Sequence, residues 1–222
     1  MKKVYIIHTS LVSHAELNAL FAEMIPEAKV FNIVDDSLLA DAMANGGITE
    51  KIVGRMCKYY EAAAANGADL IFNQCSSVGE AADIAAKLVA IPVVKVDEAM
   101  AEKAVALGKR IAVVATVKST MKPSCNLVRA KAALAGKTVE VAEYLVDGAL
   151  DVLMKENDRA KHNALVLAAV KKAEAECDVI VLAQGSMTVL LPELTEIKKP
   201  VLTSPRIGVE KARAALLEGT PQ

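Results

Sequence analysis

The sequence predicts an α/β fold of two similar halves, each a parallel sheet flanked by helices. Short apolar runs of strand length alternate with longer Ala-rich segments of helical character, the pattern in which each strand returns to its sheet through a helix. The pattern also repeats, the second half matching the first at a nearly constant offset. With 222 residues, 54% of them apolar, the chain is long enough to bury a sizeable core as one large domain or two small ones.

The elements follow in chain order. Lys2-Lys3 ahead of the apolar Val4–Ile7 resembles the front of a signal peptide, but His8-Thr9-Ser10 ends the run too early for an export segment, so Val4–Ile7 reads as the first strand. A helix at His14–Met24 and a strand at Val30–Val34 come next. Helices at Ser37–Ala44 and Thr49–Asn66 flank Asn45-Gly46-Gly47, a turn or flap. Leu70–Asn73 is a strand of buried type, and Ser77-Val78-Gly79-Glu80 after it reads as a capping box opening a helix over Ser77–Val89. A strand at Pro92–Val96 and a helix at Glu98–Leu107 complete the first series. The second series runs through strand Ile111–Ala115, helix Pro123–Ala135, strand Val139–Ala142, helices Val146–Glu156 and Asp158–Glu176, strand Val179–Ala183 and helix Val189–Leu194. Strand Pro200–Thr203 and helix Gly208–Glu218 close the chain.

Three segments establish the repeat. Lys3-Val4-Tyr5-Ile6-Ile7-His8-Thr9 falls on Arg110-Ile111-Ala112-Val113-Val114-Ala115-Thr116 at an offset of 107. Ala68 through Ser77 falls on Cys177 through Ser186 at 109, and Pro92 through Ala104 on Pro200 through Ala212 at 108 with five identities in thirteen positions. These matches imply two Rossmann-like, flavodoxin-like halves, residues 1–98 plus 200–222 and residues 99–199, with helix 208–218 returning to the first. In parallel sheets ligands bind beyond the C-terminal strand ends, and two facing halves would share the cleft between them as the active site.

Composition removes several function classes. Lys plus Arg (26) nearly balances Asp plus Glu (27), and with no Trp and few aromatics the chain has neither the basic footprint nor the stacking surfaces of a nucleic-acid binder. No apolar run approaches a membrane span, so no membrane association and a cytoplasmic location are expected. Cys57, Cys75, Cys125 and Cys177 show no metal-ligand spacing, so neither a metal nor a disulfide framework is expected. No Gly-rich dinucleotide or phosphate-loop motif follows any strand, and no cofactor is expected.

The predicted strand ends carry His8-Thr9-Ser10, Asn73 through Ser77, Thr116 with Ser119 and Thr120, and Gln184-Gly185-Ser186, a set rich in hydroxyls and nearly free of carboxylates. Cys75 is the sharpest feature. A thiol before a helix N-terminus meets unpaired N–H groups and the positive end of the dipole, which is expected to lower its pKa. The other three cysteines read as structural. Thr116, Ser119 and Thr120, with Ser76 and Ser77, suit a carboxylate or small anion. His8, ending the first strand, is a possible acid or base, whereas His14 and His162 read as surface residues on helices. Tyr59 and Tyr60 read as core.

At Asn73-Gln74-Cys75-Ser76-Ser77-Val78-Gly79 and at Val181-Leu182-Ala183-Gln184-Gly185-Ser186-Met187 the sequence resembles the aspartate/glutamate/hydantoin racemase superfamily. The resemblance spans essentially the whole chain, including Val113-Val114-Ala115-Thr116 and Asn32-Ile33-Val34-Asp35. It implies a cofactor-independent isomerase that moves a proton beside a substrate carboxylate using thiols at two strand ends, and a homo-oligomeric assembly. It also implies Cys75 as the first thiol, and Thr9, Ser10, Asn73, Ser76, Ser77, Thr116, Ser119, Thr120, Gly185 and Ser186 as substrate-binding positions. The second thiol position holds Gln184, which exchanges no proton near neutral pH but can donate a hydrogen bond to an enolate oxygen. Racemisation then needs another carrier, His8 or water. One-sided protonation suits decarboxylation of a substituted malonate, addition by Cys75 suits a maleate-type cis–trans isomerisation, and a non-catalytic small-acid binder is the remaining alternative.

Overall fold

A computed structural model describes residues 1–218. All eight expected strands are present: β1 (Lys2–His8), β2 (Ala28–Val34), β3 (Leu70–Asn73), β4 (Val93–Lys95), β5 (Arg110–Ala115), β6 (Glu140–Leu145), β7 (Val179–Leu182) and β8 (Val201–Thr203). They form two all-parallel sheets of the same order, β2-β1-β3-β4 and β6-β5-β7-β8. The offset in the sequence is therefore an offset in register. Ile7 pairs with Asn73 in the first sheet, and Val114 with Leu182 in the second.

The apolar runs are continuous because both faces of the central strands are buried. In the first sheet Val4, Ile6, Leu70 and Phe72 join one core cluster, while Ile7 and Ile71, pointing the other way, join a second. In the second sheet Ile111, Val113, Val179 and Val181 alternate likewise with Ala112, Val114, Ile180 and Leu182.

The chain forms two compact units, Met1–Ala99 with the segment from Pro205 onward, and Met100–Ser204. Residues 200–204, grouped from sequence with the first half, instead supply β8, which hydrogen-bonds to β7 in the second sheet. Helices α1 (His14–Met24), α2 (Ser37–Ala44) and α3 (Glu50–Ala65) lie near their expected positions. The Gly46 and Gly47 segment is a closed turn, with Gly47 N–H donating to the Ala42 carbonyl at 2.9 Å.

The expected helix 77–89 is broken up. A 3-10 turn over Ser76–Val78 precedes α4 (Gly79–Ala85), and a second over Ala86–Leu88 follows it. Val78, the residue before α4, has no side chain that can cap it. α5 (Glu98–Leu107) is as expected, but α6 (Lys118–Leu134) starts five residues before Pro123. Pro123 therefore lies in the second turn, inside the helix, and forfeits the bond to the Ser119 carbonyl. The segment 146–156 becomes a short α7 (Ala149–Asp151) continuing into a π turn, Val152–Glu156, between Gly148 (φ 78°) and Asn157 (φ 53°). α8 (Arg159–Glu176) precedes β7, a 3-10 segment Gly185–Glu193 replaces the expected helix 189–194, and α9 (Ser204–Glu218) ends the described chain. Among the described residues no helix is long and apolar enough to cross a membrane.

Candidate active site

In the first unit β1 delivers His8 and Thr9, and β3 delivers Asn73, Gln74 and Cys75, at the same end of the sheet. Asn73 Nδ2 donates to the Cys75 carbonyl at 3.0 Å, fixing the extended bend that carries the thiol (φ −123°, ψ 122°). Thr9 N–H donates to Gln74 Oε1 at 3.4 Å, tying the two strand ends together. Ser76 and Ser77 are buried in the 3-10 turn that follows, and Ser10 is half-buried.

Cys75 is half-buried, and its pKa departs from the sequence expectation in direction. Burial pushes the thiol up, and the Thr9 hydroxyl beside it, the Ser77 amide and hydroxyl and the Val78 amide oppose the rise without bringing it back. The expected helix-dipole stabilisation is weak because the thiol precedes a single 3-10 turn and a seven-residue helix, not a long one. Cys75 is accordingly a protonated thiol at neutral pH.

The second unit repeats the frame with one change. Gln184 takes the same backbone conformation (φ −130°, ψ 133°), and its carbonyl accepts from Met187 N–H as the Cys75 carbonyl accepts from Val78 N–H. Gln184 thus stands where the repeat would put a second thiol. Its Oε1 accepts from Thr116 N–H at 2.6 Å and from Thr116 Oγ1 at 3.1 Å, which fixes the amide and leaves Nε2 as a donor. Thr116 faces Gln184 as Thr9 faces Cys75. Ser119 and Thr120, expected on a loop, are buried in the first turn of α6, while Gly185 and Ser186 open the 3-10 segment after Gln184.

The strand ends are not free of carboxylates, as the sequence had suggested. Asp97, two residues beyond β4, is 4% exposed. Burial raises its pKa against a hydrogen bond from Ser76 and the nearby charge of Lys95. Lys95 is itself buried and paired with Asp83 at 2.7 Å. Asp35, beyond β2, is held low despite its burial by Ser37, Tyr59 and Arg55, so Tyr59, whose hydroxyl donates to it at 2.6 Å, is a polar clasp and not core. A carboxylate ending a β-strand run, as in Val94-Lys95-Val96-Asp97, was the available signal for Asp97.

Four buried side-chain atoms at this end of the first sheet have no hydrogen-bond partner: His8 Nδ1, Thr9 Oγ1, Asn73 Oδ1 and Asp97 Oδ1. Only Tyr60 Oη and Ser124 Oγ share that condition among the described residues. Native folds rarely leave such atoms unmet outside functional sites. Among the other candidates, Cys125 is buried against Met121 and pushed up to about 12 by that burial, and Cys177 is buried just before β7. His162 is buried, not on the surface, its Nδ1 3.0 Å from Asn163 Oδ1.

A duplicated parallel α/β frame with a thiol at one strand end, the end at which such sheets bind ligands, defines the class of fold. The family is equally definite: the Asp/Glu/Hydantoin racemase model matches residues 7–212, and the chain belongs to that family, an isomerase of the racemase type. It is similar in structure to a glutamate racemase isoform from Bacillus anthracis (15% identity, 98% of this chain and 82% of that one, TM-score 0.75). It is also similar to an allantoin racemase from Klebsiella pneumoniae (19% identity, 100% and 91%, TM-score 0.73). An aspartate racemase homologue from Pyrococcus horikoshii matches at 17% identity over 98% and 100%, with TM-score 0.74. No curated protein sequence matches the chain.

Proposed function

We propose that the chain is a cofactor-independent racemase in which Cys75 carries a proton to and from the α-carbon of a small carboxylate-bearing compound. The observation that carries this reading is the Cys75 thiol framed by Thr9, Ser77 and the Ser77 and Val78 amides, beside buried polar atoms with no protein partner. A thiol raised by burial donates its proton readily to a carbanion-like centre only at close contact. Once deprotonated it is a stronger base than an ordinary thiolate, which narrows the gap to a weak carbon acid. The amides and hydroxyls that face it limit the rise and hold the thiolate when it forms.

Gln184 is assigned a donor role toward a carboxylate or enolate oxygen, not proton exchange, because its fixed amide presents Nε2. The second proton transfer in this reading passes through water. The same fixed amide favours a second reading, one-sided protonation after decarboxylation of a substituted malonate. Self-association and a cytoplasmic location belong to the proposal as well, supported by the family resemblance.

Proton NMR in D₂O with amino acids, hydantoins, substituted malonates and maleate tests both readings. Racemisation predicts loss of the α-proton signal in wild type and none in Cys75→Ser, whereas decarboxylation predicts a deuterated monoacid. Exchange that survives Cys75→Ser removes the thiol from the chemistry.

A further inference from the structure

Gln184 exchanges no proton, yet the unit that carries it holds a titratable group with no role so far. His162 is 4% exposed, in the first turn of α8. β6 and β7 both run parallel to β5. α8, which joins β6 to β7, therefore begins at the strand end where Thr116 and Gln184 lie.

These residues also share a face of the sheet. Ala112 and Val114 of β5 and Ile180 and Leu182 of β7 point into the cluster that α8 covers with Val166, Val170 and Ala173. Side chains alternate along a strand, so Thr116 and Gln184, each two residues further on, continue on that face, and the bond between their side chains at 3.1 Å agrees. His162 is one turn before Val166, on the same stripe of α8.

The repeat shows what this position holds in the other half. The buried stripe Ile52, Met56, Tyr60 and Ala63 of α3 recurs at the same spacing as His162, Val166, Val170 and Ala173 of α8. Where the half with Cys75 has an isoleucine, the half with Gln184 has an imidazole.

That imidazole is oriented. Asn163 Nδ2 donates to the Glu193 carboxylate at 2.6 Å, so the Asn163 atom 3.0 Å from His162 Nδ1 is its oxygen. An amide oxygen only accepts, so Nδ1 carries the hydrogen and the neutral ring keeps its lone pair on Nε2. Nε2 bonds no described residue and is not among the buried atoms left without a partner, so it is open to water.

We propose that His162 is the proton carrier of the second unit, acting through the water that serves the face of the α-carbon that Cys75 does not, with Asn163 and Glu193 as positioning residues. In one direction the water takes the α-proton and passes one of its own to Nε2. The C–H electron pair moves into the adjoining carbonyl as an enolate, and the Cys75 S–H reprotonates the carbon, leaving imidazolium and thiolate. The other direction reverses each transfer. This rests on the racemase reading of Cys75.

The first test is two-bond proton–nitrogen NMR of the whole chain labelled with ¹⁵N-histidine at mildly alkaline pH. His162 is expected to show a protonated Nδ1 and a bare Nε2, and the opposite tautomer overturns the proposal. The second test follows α-proton exchange in D₂O by NMR, and inversion by chiral chromatography, for the separate enantiomers of aspartate, glutamate and benzylhydantoin. Cys75 meets the carbon directly and His162 only through water, so exchange needs Cys75 alone whereas inversion needs both. In His162→Gln inversion should fall about 100-fold or more, the worth of a general base, while one enantiomer still exchanges with retention at a rate within a few-fold of wild type. Asn163→Leu, which keeps the imidazole but frees its tautomer, should show the same split to a smaller degree, and carries the comparison if His162→Gln does not fold. Inversion that persists, or inversion and exchange falling together as a merely structural histidine would give, overturns the proposal and leaves the racemase reading standing. Wild type that exchanges none of these compounds removes the racemase reading and this inference with it.

Discussion

Gly208 in α9 offers a measurable link between packing and the site. A Cβ added there would lie 2.5 Å from the Val96 carbonyl oxygen and 3.1 Å from Val96 C and Cα, all backbone atoms. Replacing glycine by alanine inside a helix normally gains about 1 kcal/mol. Here the clash reverses that, since forced overpacking costs about 1–3 kcal/mol. Val96 cannot retreat freely either, because its N–H donates to the Asn73 carbonyl at 2.9 Å, a bond worth about 1 kcal/mol. The net loss for Gly208→Ala is about 1–3 kcal/mol, which for a chain of this size lowers Tm by about 2–12 °C. Gly54, exposed in α3 with nothing within 4 Å of its added Cβ, is the control, and Gly54→Ala should raise Tm by about 2–4 °C. Calorimetry of both variants reads the difference. A Gly208→Ala protein melting at or above wild type would refute the argument. Because Val96 lies between Asn73 and Asp97, the destabilised variant should also show altered iodoacetamide reactivity at Cys75.

Further outcomes follow from individual groups. Iodoacetamide should modify Cys75 slowly through neutral pH, with its rate rising only above the ordinary thiol range of about 8.5, since its pKa is raised; an inflection at or below neutrality contradicts this. Gln184→Glu keeps an oxygen for Thr116 but replaces the Nε2 donor with a negative oxygen, so KM for a carboxylate substrate should rise about tenfold or more with a smaller change in kcat. Tyr60 Oη is buried without a partner, so Tyr60→Phe should leave stability unchanged or raise it by up to about 1 kcal/mol in urea titrations. Asp97 has a folded pKa above its unfolded one, so the stability it adds at acid pH is present below the ordinary carboxylate range and is lost as pH rises from there through the raised folded value. Asp97→Asn should therefore be more stable than wild type at neutral pH, with the margin shrinking as pH falls toward about 4 and flat below it.

Much of the architecture was legible because strands buried on both faces write themselves as unbroken apolar runs. Val179 through Leu182 and Leu70 through Phe72 are examples, and the register shared by the two sheets makes Gln184 the counterpart of Cys75. Local signals failed where tertiary packing decided the outcome. Ser77-Val78-Gly79-Glu80 has the letters of a helix start, yet Ser76–Val78 form a 3-10 turn in which Ser77 is turned to the thiol, and the helix after it is short. The same packing reversed the pKa of Cys75, since the desolvation of a side chain is not written in its neighbours along the chain. The burial of Asp97 is likewise a product of tertiary packing and leaves no mark in the residues around it. The amide chain from His14 through Asn18 and Asn32 to His8 joins residues up to 24 positions apart and leaves no local pattern.

The route of the backbone has a consequence for how the molecule is made. The chain leaves the first unit after Ala99, builds the whole of Met100–Ser204, and returns at Pro205. Val209, Ala212 and Leu216 of α9 pack in one cluster with Val4, Ile6, Leu70 and Phe72. A ribosome therefore delivers the first sheet with this apolar face covered only in part, by Leu17 and Phe21 of α1, and the rest stays open until α9 emerges. The half that is synthesised second is the half that can finish folding first, and a nascent chain stalled before Pro205 presents a ready client surface to chaperones.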